Sequence, residues 1–526
     1  MWRPRISVRL RTDVAYFWGS LRRGIQKSKG VESVERMVGE RRIAIVGGGI
    51  TGLTAAYQME QEGSAQGIPV RGILFEATGR LGGKIQTERV DDHLFEEGPD
   101  SLLARKVRST DLLSRLGLAD SLIESNPRLR GAFVVHRGRL EPLPESTLFV
   151  APYRVGPLLT TRILSPWGKA RALLDLVLPG RTDERDESLG ALVSRRLGRE
   201  VANRLAIPLL ASVYGGGSGD LSVLAAFPEL RQLEQKHRSL LKGQRILSQQ
   251  RKSTQPGSPF VTLTDGLSSL IDRLGGALRA TEVVKSGQVT ELQSTIAGTG
   301  QREYRLRLAD GRDYLADAVI LATPADVTSR LLSHIAPIAA HSLGEIDYLP
   351  ALVVTVGFER KQVKRPLAGT GFLVPADERM TLIASTWVSQ KWPHASPADS
   401  ALFRCYLGGP SIQDLLARDD DDLVRLACAE LGPLVGIEAA PRLSRVYRWH
   451  SGLPRYAPGH LDRVRRAEEA LRGFPGLVLA GAAYRGIGVP DCIRQGQEAA
   501  RTALSATSAN VAMNPSDALS DSIRSR

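Results

Sequence analysis

The chain has 526 residues, of which 42% are hydrophobic and 24% are charged, and its formal net charge is +14. This length exceeds what one hydrophobic core supports, so two or three domains are expected, and the composition is that of a soluble globular protein. The basic residues form no dense stripe interleaved with aromatic side chains, which argues against a nucleic-acid partner. Cys405, Cys428 and Cys492 are too far apart for a disulfide framework or a metal site, which favours a reducing, cytoplasmic compartment.

Residues 1–40 form a basic N-terminal extension, with seven Arg and two Lys against one Asp and two Glu before Met37. We expect this extension to be disordered, although an organelle transit segment or a surface-binding amphipathic stretch has a similar composition. It lacks the uninterrupted apolar stretch of a secretory signal. No apolar run elsewhere approaches the roughly 18 residues of a membrane-spanning helix.

The stretch from Arg42 to Leu53, RIAIVGGGITGL, predicts a strand, a glycine turn and a helix. This order is typical of a dinucleotide site, where a glycine without a Cβ lets a pyrophosphate approach the first N–H groups of the helix. The next predicted strand, Ile73 to Phe75, leads into Glu76, where a carboxylate binds ribose hydroxyls in such sites. The alternative is an ordinary turn and a solvated Glu, and the spacing of the two features favours the dinucleotide.

Two more glycine-containing segments follow, ATGRLGGK after Glu76 and FEEGPDS from Phe95 to Ser101. Either segment alone is typical of a surface turn. A second glycine pair so soon after the ribose-binding acid is not expected in a nicotinamide dehydrogenase. It indicates a larger cofactor with more backbone wrapped around it.

The middle of the chain changes from strands to helices. Ala132 to Pro144 predicts a β-hairpin turned at Arg137 and Gly138, and residues 146–226 predict mostly helices. These amphipathic helices fit either a packed subdomain or a shallow contact with a membrane surface.

Strands return in the second half of the chain. Strand-containing segments are predicted at 260–274, at 280–284, around the turn at Asp310 and Gly311, and at 317–325. Period-two stretches between 348 and 450 predict a second, mainly antiparallel sheet. Residues 476–504 predict a strand, a glycine loop and a helix, and the polar tail after Thr507 is expected to be disordered.

Five stretches in this order, RIAIVGGGITGL, EATGRLGGK, FEEGPDS, VILATPA and AGAAYRGIGVPDCIRQG, resemble the flavin-containing amine oxidase superfamily. Within it, GTGFLVPADE at 369–378, LPRYAPGHLDRV at 453–464 and YRGIGVPDCI at 484–493 are similar to the oxygen-dependent protoporphyrinogen and coproporphyrinogen oxidases. The resemblance covers residues 41–506 and leaves out only the extension and the tail.

The resemblance implies an α/β fold with three parts. They are a Rossmann-like FAD-binding domain from 41–126, 227–332 and 470–506, a hairpin and α-helical subdomain at 127–226, and an inserted, mainly antiparallel β-sheet substrate domain at 333–469. Residues 507–526 form the tail.

FAD is the cofactor that the resemblance implies, and no metal is expected. The residues that it assigns to FAD binding are Gly47, Gly48, Gly49, Ile50, Thr51, Gly52, Glu76, Ala77, Arg80, Gly83, Lys84, Gly98, Pro99, Asp100, Ser101, Val283, Trp449, Ile487, Gly488 and Val489. Residues 47–52 are expected at the pyrophosphate, Glu76 at the ribose and Val283 near the adenine. Lys84, residues 98–101, Trp449 and residues 487–489 are expected around the flavin.

The implied reaction removes six electrons and six protons from a porphyrinogen, two electrons at a time, with oxygen as acceptor and hydrogen peroxide as product, in haem biosynthesis. The cofactor carries this chemistry, so no general base is assigned. Where plant and animal relatives have an Arg that pairs with a substrate propionate, this chain has Ala132, and Arg130 is the candidate carboxylate contact. Protoporphyrinogen and coproporphyrinogen both remain open as substrates.

Two other functions fit the same scaffold. One is an amine oxidase or carotenoid desaturase, and the other is a non-catalytic flavin-binding partner of haem-pathway enzymes. The sequence predicts no oligomeric state.

Overall fold

A computed structural model describes residues 40–129, 131–145, 147–148, 151–152, 154–181, 183–214, 218–252, 258–297, 301–409 and 411–512. The predicted extension up to residue 39 lies outside the described residues, and so does Arg130. The strands are β1 (Arg41–Val46), β2 (Val70–Phe75), β3 (Thr87–Val90), β4 (His93–Glu96), β5 (Leu102–Leu103), β6 (Leu122–Glu124), β7 (Phe133–His136), β8 (Arg139–Pro142), β9 (Thr147–Leu148), β10 (Ala151–Pro152), β11 (Phe260–Leu263), β12 (Thr281–Val284), β13 (Val289–Ile296), β14 (Arg302–Leu308), β15 (Asp313–Ala316), β16 (Ala318–Leu321), β17 (Tyr348–Glu359), β18 (Gly371–Leu373), β19 (Leu382–Trp387), β20 (Ser400–Leu407), β21 (Leu443–Pro454) and β22 (Leu477–Leu479). The helices are α1 (Ile50–Ala65), α2 (Ala104–Arg108), α3 (Leu112–Arg115), α4 (Val155–Thr160), α5 (Pro166–Leu173), α6 (Leu189–Leu197), α7 (Arg199–Val201), α8 (Ile207–Tyr214), α9 (Val223–Ala226), α10 (Pro228–His237), α11 (Leu240–Lys252), α12 (Ser268–Ala277), α13 (Ala325–Leu332), α14 (Pro337–Gly344), α15 (Val388–Lys391), α16 (Ile412–Leu416), α17 (Asp420–Val435), α18 (His460–Ala470) and α19 (Val489–Ala512).

A five-stranded parallel sheet carries the first glycine turn. Its strand order is β12-β2-β1-β16-β22, and its continuous apolar strands are those of a sheet covered on both faces. Ile43 and Ile45 of β1 pack with α1, α12 and α19 on one face. Ala44 and Val46 pack on the other face with the small sheet β13-β14-β15 and with α13, α14 and α18. The helices α14 and α18 therefore pack on this sheet, although the predicted boundaries assigned them to the substrate domain.

The second large sheet has seven strands in the order β21-β17-β20-β19-β18-β7-β8. Its neighbours pair antiparallel except β18 and β7, which pair parallel. The mainly antiparallel sheet was therefore predicted correctly. The hairpin β7–β8 turns at Arg137 and Gly138, both with positive φ, as expected. It forms one edge of this sheet, however, whereas the prediction grouped it with the helical subdomain.

The helices between α4 and α11 share one core, which contains Leu192, Leu205 and Leu230. The helices α10 and α11 contribute to this core, although residues 227–252 were predicted to belong to the FAD-binding domain. A buried ion pair lies within this region, where Arg196 Nε donates to Asp175 Oδ1 over 2.6 Å. The short strands β9 and β10 pair at the start of the region that was predicted to be mostly helical.

The last helix, α19, runs to Ala512 and packs closely against α1. The predicted disordered tail therefore begins too early, because residues 507–512 are helical, and residues 513–526 lie outside the described residues. Among the described residues, no helix is both long enough and apolar enough to cross a membrane.

Candidate functional site

The first glycine turn is shaped by three different constraints. Gly47 has φ +112°, and a Cβ there would lie 2.7 Å from Ala322 O. A Cβ on Gly52 would lie 1.9 Å from Gly47 O, so α1 and β1 approach too closely for a side chain. At Gly49, by contrast, a Cβ would meet nothing within 4 Å, and α1 begins there without a side-chain cap. The first N–H groups of α1 therefore face a space that an anionic group can fill.

Glu76 lies directly beside this turn. Its Oε2 accepts from Gly48 N over 2.9 Å, and its Oε1 accepts from Thr78 N and Thr78 Oγ1, each over 2.8 Å. The residue is only 9% exposed. The strand of Val283 runs alongside, because Val284 O accepts from Glu76 N over 3.0 Å. The carboxylate is therefore fixed at the end of β2, next to the start of α1.

The three glycine segments that the sequence singles out lie in contact with one another. Gly82 N donates to Gly48 O over 2.9 Å, and a Cβ on Gly83 would lie 3.4 Å from the Cα of Gly49. A Cβ on Gly98 would lie 1.9 Å from Lys84 O. The three segments therefore form one cluster of backbone beside the first glycine turn.

Residues 96–101, which we call the flavin-side loop, are held by two side chains from the seven-stranded sheet. Trp449 Nε1 donates to Glu97 O over 3.0 Å. The guanidinium of Arg404 on β20 donates to the carbonyls of Glu96 and Gly98. Arg404 was not predicted, although a single charged residue within the apolar run ALFRCYL was a usable signal.

Burial and charge perturb the ionisable groups around the flavin-side loop. Burial raises the pKa of Glu96 to about 7. Burial also raises the pKa of Asp100, but Lys391 and Arg404 outweigh it and hold that pKa below its usual value. Lys391 Nζ lies 3.6 Å from Asp100 Oδ2 and donates to Ser101 Oγ over 2.6 Å. Asp100 is therefore ionised at neutral pH, whereas Glu96 titrates there.

Lys84 is a further cation close to this loop, since its carbonyl oxygen lies 1.9 Å from the position of a Cβ on Gly98. Burial lowers its pKa, and its Nζ lies 5.3 Å from the ring centroid of Tyr348. Ala77 and Arg80, by contrast, are exposed in the turn before it.

The final predicted loop, residues 487–489, leads directly into the N-terminus of α19. Cys492 N donates to Gly488 O over 3.0 Å and closes the first turn of this helix. Lys106 Nζ contacts both carboxylate oxygens of Asp491 at 2.9 Å. A Cβ on Gly496 would lie 2.5 Å from Thr51 O, so α19 rests against the helix that follows the first glycine turn.

Tyr456 and His460 brace the loop before α19, and neither was predicted as a site residue. Tyr456 Oη donates to Ala482 O over 2.7 Å and accepts from Gly486 N over 2.8 Å. His460 stacks on the Tyr456 ring with a centroid distance of 3.9 Å, and its Nε2 contacts Tyr484 O at 3.0 Å. Burial lowers the pKa of His460 to about 4, so the imidazole is neutral and donates this bond from Nε2.

The arrangement fits a dinucleotide with an attached ring system. The space over Gly49, the uncapped start of α1 and the oriented carboxylate of Glu76 suit a pyrophosphate and a ribose. The structure brings residues 47–52, Glu76, residues 83–84 and residues 98–101 together, with Trp449 attached to the flavin-side loop. The individual FAD contacts stay predictions. Among the described residues, no three His, Cys, Asp or Glu side chains are grouped to hold a metal ion.

Comparison with known proteins gives consistent matches over most of the chain. Residues 50–504 match the family described as flavin containing amine oxidoreductase. The chain is 35% identical to the coproporphyrinogen III oxidase of Bacillus subtilis (strain 168), covering 89% of this chain and 98% of that protein. It is 31% identical to the coproporphyrinogen III oxidase of Staphylococcus aureus (strain NCTC 8325 / PS 47), covering 88% and 98%. A crystal structure from Exiguobacterium sp. 255-15, described as a candidate protoporphyrinogen oxidase, superposes with a TM-score of 0.77 at 33% identity, covering 88% of this chain and 98% of that one.

Proposed function

The chain belongs to the flavin containing amine oxidoreductase family, and from this premise we propose that it oxidises coproporphyrinogen III to the corresponding porphyrin in haem biosynthesis. It is an FAD-dependent oxidoreductase. The observation that carries the choice of substrate is the similarity to the Bacillus subtilis coproporphyrinogen III oxidase, which extends over nearly the whole of that enzyme. The three free cysteines support a cytoplasmic location for the reaction.

The reaction consists of three two-electron oxidations. In each, a bridging carbon of the macrocycle loses a hydride, the macrocycle loses a proton, and one molecule of oxygen is reduced to hydrogen peroxide. Over the three steps each of the four bridging carbons loses one hydrogen and two of the four pyrrole nitrogens lose theirs. Bound FAD supplies the hydride acceptor and the reactivity with oxygen. The protein therefore has to bind both molecules, orient them and keep water away from the reacting carbon.

The described residues divide these tasks between the two large sheets. The first N–H groups of α1 and the carboxylate of Glu76 bind the pyrophosphate and the ribose. The flavin-side loop and the start of α19 flank the flavin, where the helix N-terminus favours negative charge. The seven-stranded sheet offers the substrate surface, and Trp449 links it to the flavin-side loop.

Anaerobic mixing of the purified yellow protein with each porphyrinogen tests this proposal. We expect coproporphyrinogen III to bleach the flavin absorbance and to give a higher kcat/KM in air than protoporphyrinogen IX. A preference for protoporphyrinogen IX would reject coproporphyrinogen III as the substrate but would still support porphyrinogen oxidation as the reaction. Bleaching by a polyamine or a polyene, with neither porphyrinogen reactive, would reject the reaction. A reduced flavin that air does not reoxidise would reject oxygen as the acceptor.

An exposed apolar patch supports a further proposal, that the protein contacts anionic membranes peripherally. In the part of the chain that the structure describes, six of the ten exposed large hydrophobic side chains fall between residues 155 and 177, including Trp167 at 86% and Val177 at 78% exposure. Arg154 and Arg162 are exposed next to them. Apolar side chains beside cations are typical of a surface that docks on anionic lipid. We name residues 155–177 the apolar patch.

A further inference from the structure

Arg404 is a fully buried cation that donates hydrogen bonds to main-chain carbonyls. The residue is 3% exposed and lies on β20, in the interior of the seven-stranded sheet. Its two terminal nitrogens donate to Glu96 O and Gly98 O, and Glu97 O lies 3.5 Å from one of them. The planar guanidinium thus spans three consecutive residues of the flavin-side loop, which an ammonium group on a flexible stem cannot do.

The charge of Arg404 is compensated by nearby groups, among them Tyr406, with which it also shares a side-chain hydrogen bond. Burial alone would lower the pKa of this guanidinium, but Tyr406, Asp100 and Glu96 outweigh that effect and raise it. The ring of Tyr406 lies 5.4 Å from the guanidinium carbon. A residue that only filled this interior would be apolar, because burying a charge is costly unless partners compensate it. The carbonyl contacts therefore indicate a role for the guanidinium at the loop.

The space behind the loop is not completely filled by side chains. A cavity of about 30 Å³ lies there, and Glu96, Asp100, Trp392 and Arg404 are among the residues that line it. Arg404 Nε and Trp392 Nε1 have no hydrogen-bond partner among the described residues, although both are buried. The volume is sufficient for an ordered water molecule. The hydrogen bonds from Arg404 therefore contribute to fixing the loop at a place where packing is incomplete.

We propose that Arg404 is a positioning residue, which holds the carbonyls of residues 96–98 so that residues 98–101 keep their place beside the flavin. Trp449 holds the intervening carbonyl from β21, and together the two side chains fix the loop to the substrate sheet. The inference rests on the proposed placement of FAD beside this loop. It does not depend on which porphyrinogen is the substrate.

Arg404→Met and Arg404→Lys in the FAD-containing protein test this role, with Arg196→Met as the matched control. Arg196 is equally buried at 1% exposure and also donates to main-chain carbonyls, but it does so in the helical core. The measurements are amide hydrogen exchange in the peptide that covers residues 96–101, the visible circular dichroism of the flavin, and the FAD dissociation constant. None of them requires a substrate.

Arg404→Met is expected to speed exchange in the loop on the order of tenfold, to change the flavin circular dichroism and to weaken FAD binding. Arg404→Lys is expected to give changes between those of the wild type and Arg404→Met, since lysine keeps the positive charge but lacks the planar guanidinium that bonds several carbonyls at once. Arg196→Met should lower the melting temperature and leave the loop and the flavin signal unchanged. Wild-type exchange and circular dichroism in either Arg404 variant would overturn the role, as would an equal change in the control. If Arg404→Met does not fold, Arg404→Lys decides the matter. A loop response in a protein that oxidises no porphyrinogen would leave the role intact and reject the proposed function.

Discussion

Gly49 and Gly52 lie in the same turn, yet a side chain would meet different surroundings at each. Gly49 has an extended backbone with φ −74° and open space around its Cβ position, so valine there is compatible with the folded chain. Gly49→Val should therefore fold with a wild-type melting temperature and lose FAD, because the side chain occupies the space of the pyrophosphate. The flavin-to-protein absorbance ratio measures the loss.

Gly52→Val is the contrasting variant. A Cβ there would lie 1.9 Å from Gly47 O, so this protein should be severely destabilised before any effect on FAD is measured. A folded Gly49→Val protein with full flavin content would contradict the proposed position of the pyrophosphate.

Glu76 has two tasks that substitution can separate. Glu76→Ala should weaken FAD binding by about 1 to 3 kcal/mol, the scale of a lost hydrogen bond to a charged group. It should also lower the melting temperature, because Gly48 N and Thr78 N lose their acceptor. Glu76→Gln keeps one oxygen and should weaken FAD binding less. Titration of the apoprotein with FAD measures both variants, and unchanged dissociation constants would reject the ribose contact.

Glu96 should make stability depend on pH near neutrality. Its pKa is about 7 in the folded protein against 4.5 for an unperturbed Glu, so the folded state binds the proton more tightly. Its contribution to stability is therefore complete below pH 4.5 and is lost as the pH rises through 7. Glu96→Gln should remove a decrease of roughly 2 kcal/mol in unfolding free energy between pH 5 and pH 8. Urea unfolding at both pH values compares the proteins, and parallel pH profiles would contradict this assignment.

At the residue scale, sequence patterns identified candidate groups whose proposed role depends on their neighbours along the chain. The glycines of the first turn and the acid after β2 were predicted because strand, turn and helix follow one another directly. Arg404 and Tyr456 were missed, because their partners are main-chain atoms 306 and 26 positions away. When a side chain bonds carbonyls that are distant in the sequence, the only indication in the sequence is a polar residue within an otherwise apolar stretch.

At the element scale, the loop before α19 is supported by hydrogen bonds from a tyrosine just beyond the end of β21. Tyr456 follows β21 and bridges Ala482 O and Gly486 N. Tyr456→Phe should cost about 1 to 2 kcal/mol of stability, since Gly486 N loses a buried acceptor, and should shift the visible spectrum of the flavin. Tyr304→Phe is the control. Tyr304 Oη also donates to a main-chain carbonyl, that of Pro475, but it lies in the core between the parallel sheet and the sheet β13-β14-β15. It should lower stability without a spectral change, and equal spectra in all three proteins would contradict the bracing role.

Element types were easier to predict than their partners. Period-two patterns identified the strands of the second sheet and the turn of the hairpin at Arg137 and Gly138. They did not show that β7 pairs parallel with β18, because nothing in either strand encodes a partner more than 200 residues away. For the same reason the sequence did not indicate that α10 and α11 pack in the helical core, since an amphipathic face does not specify the core against which it packs.

At the scale of the whole molecule, the apolar patch should bring the protein to anionic vesicles. Flotation with phosphatidylserine-containing liposomes should recover the full chain at low salt and less of it at high salt, because charge attraction is screened over about 8 Å at physiological ionic strength. Trp167→Ser combined with Val177→Ser should abolish recovery.

Ile338→Ser provides the matched control, because this exposed apolar residue lies on α14, far along the chain from the patch. A chain beginning at Met37 isolates the contribution of the basic extension. Loss of flotation only in that shortened chain would assign binding to the extension, and no flotation by the intact protein would reject membrane contact.

The strand order of the parallel sheet has a consequence for how the protein is made. The strands β1 and β2 leave the ribosome first, but their sheet is completed by β16 and by β22 at residues 477–479, and α19 follows later still. A nascent chain therefore presents the glycine turn hundreds of residues before β22 and α19 are made. Because α19 is proposed to flank the flavin, we expect stable capture of FAD only when synthesis is almost finished, and the half-built apolar faces need protection from aggregation until then.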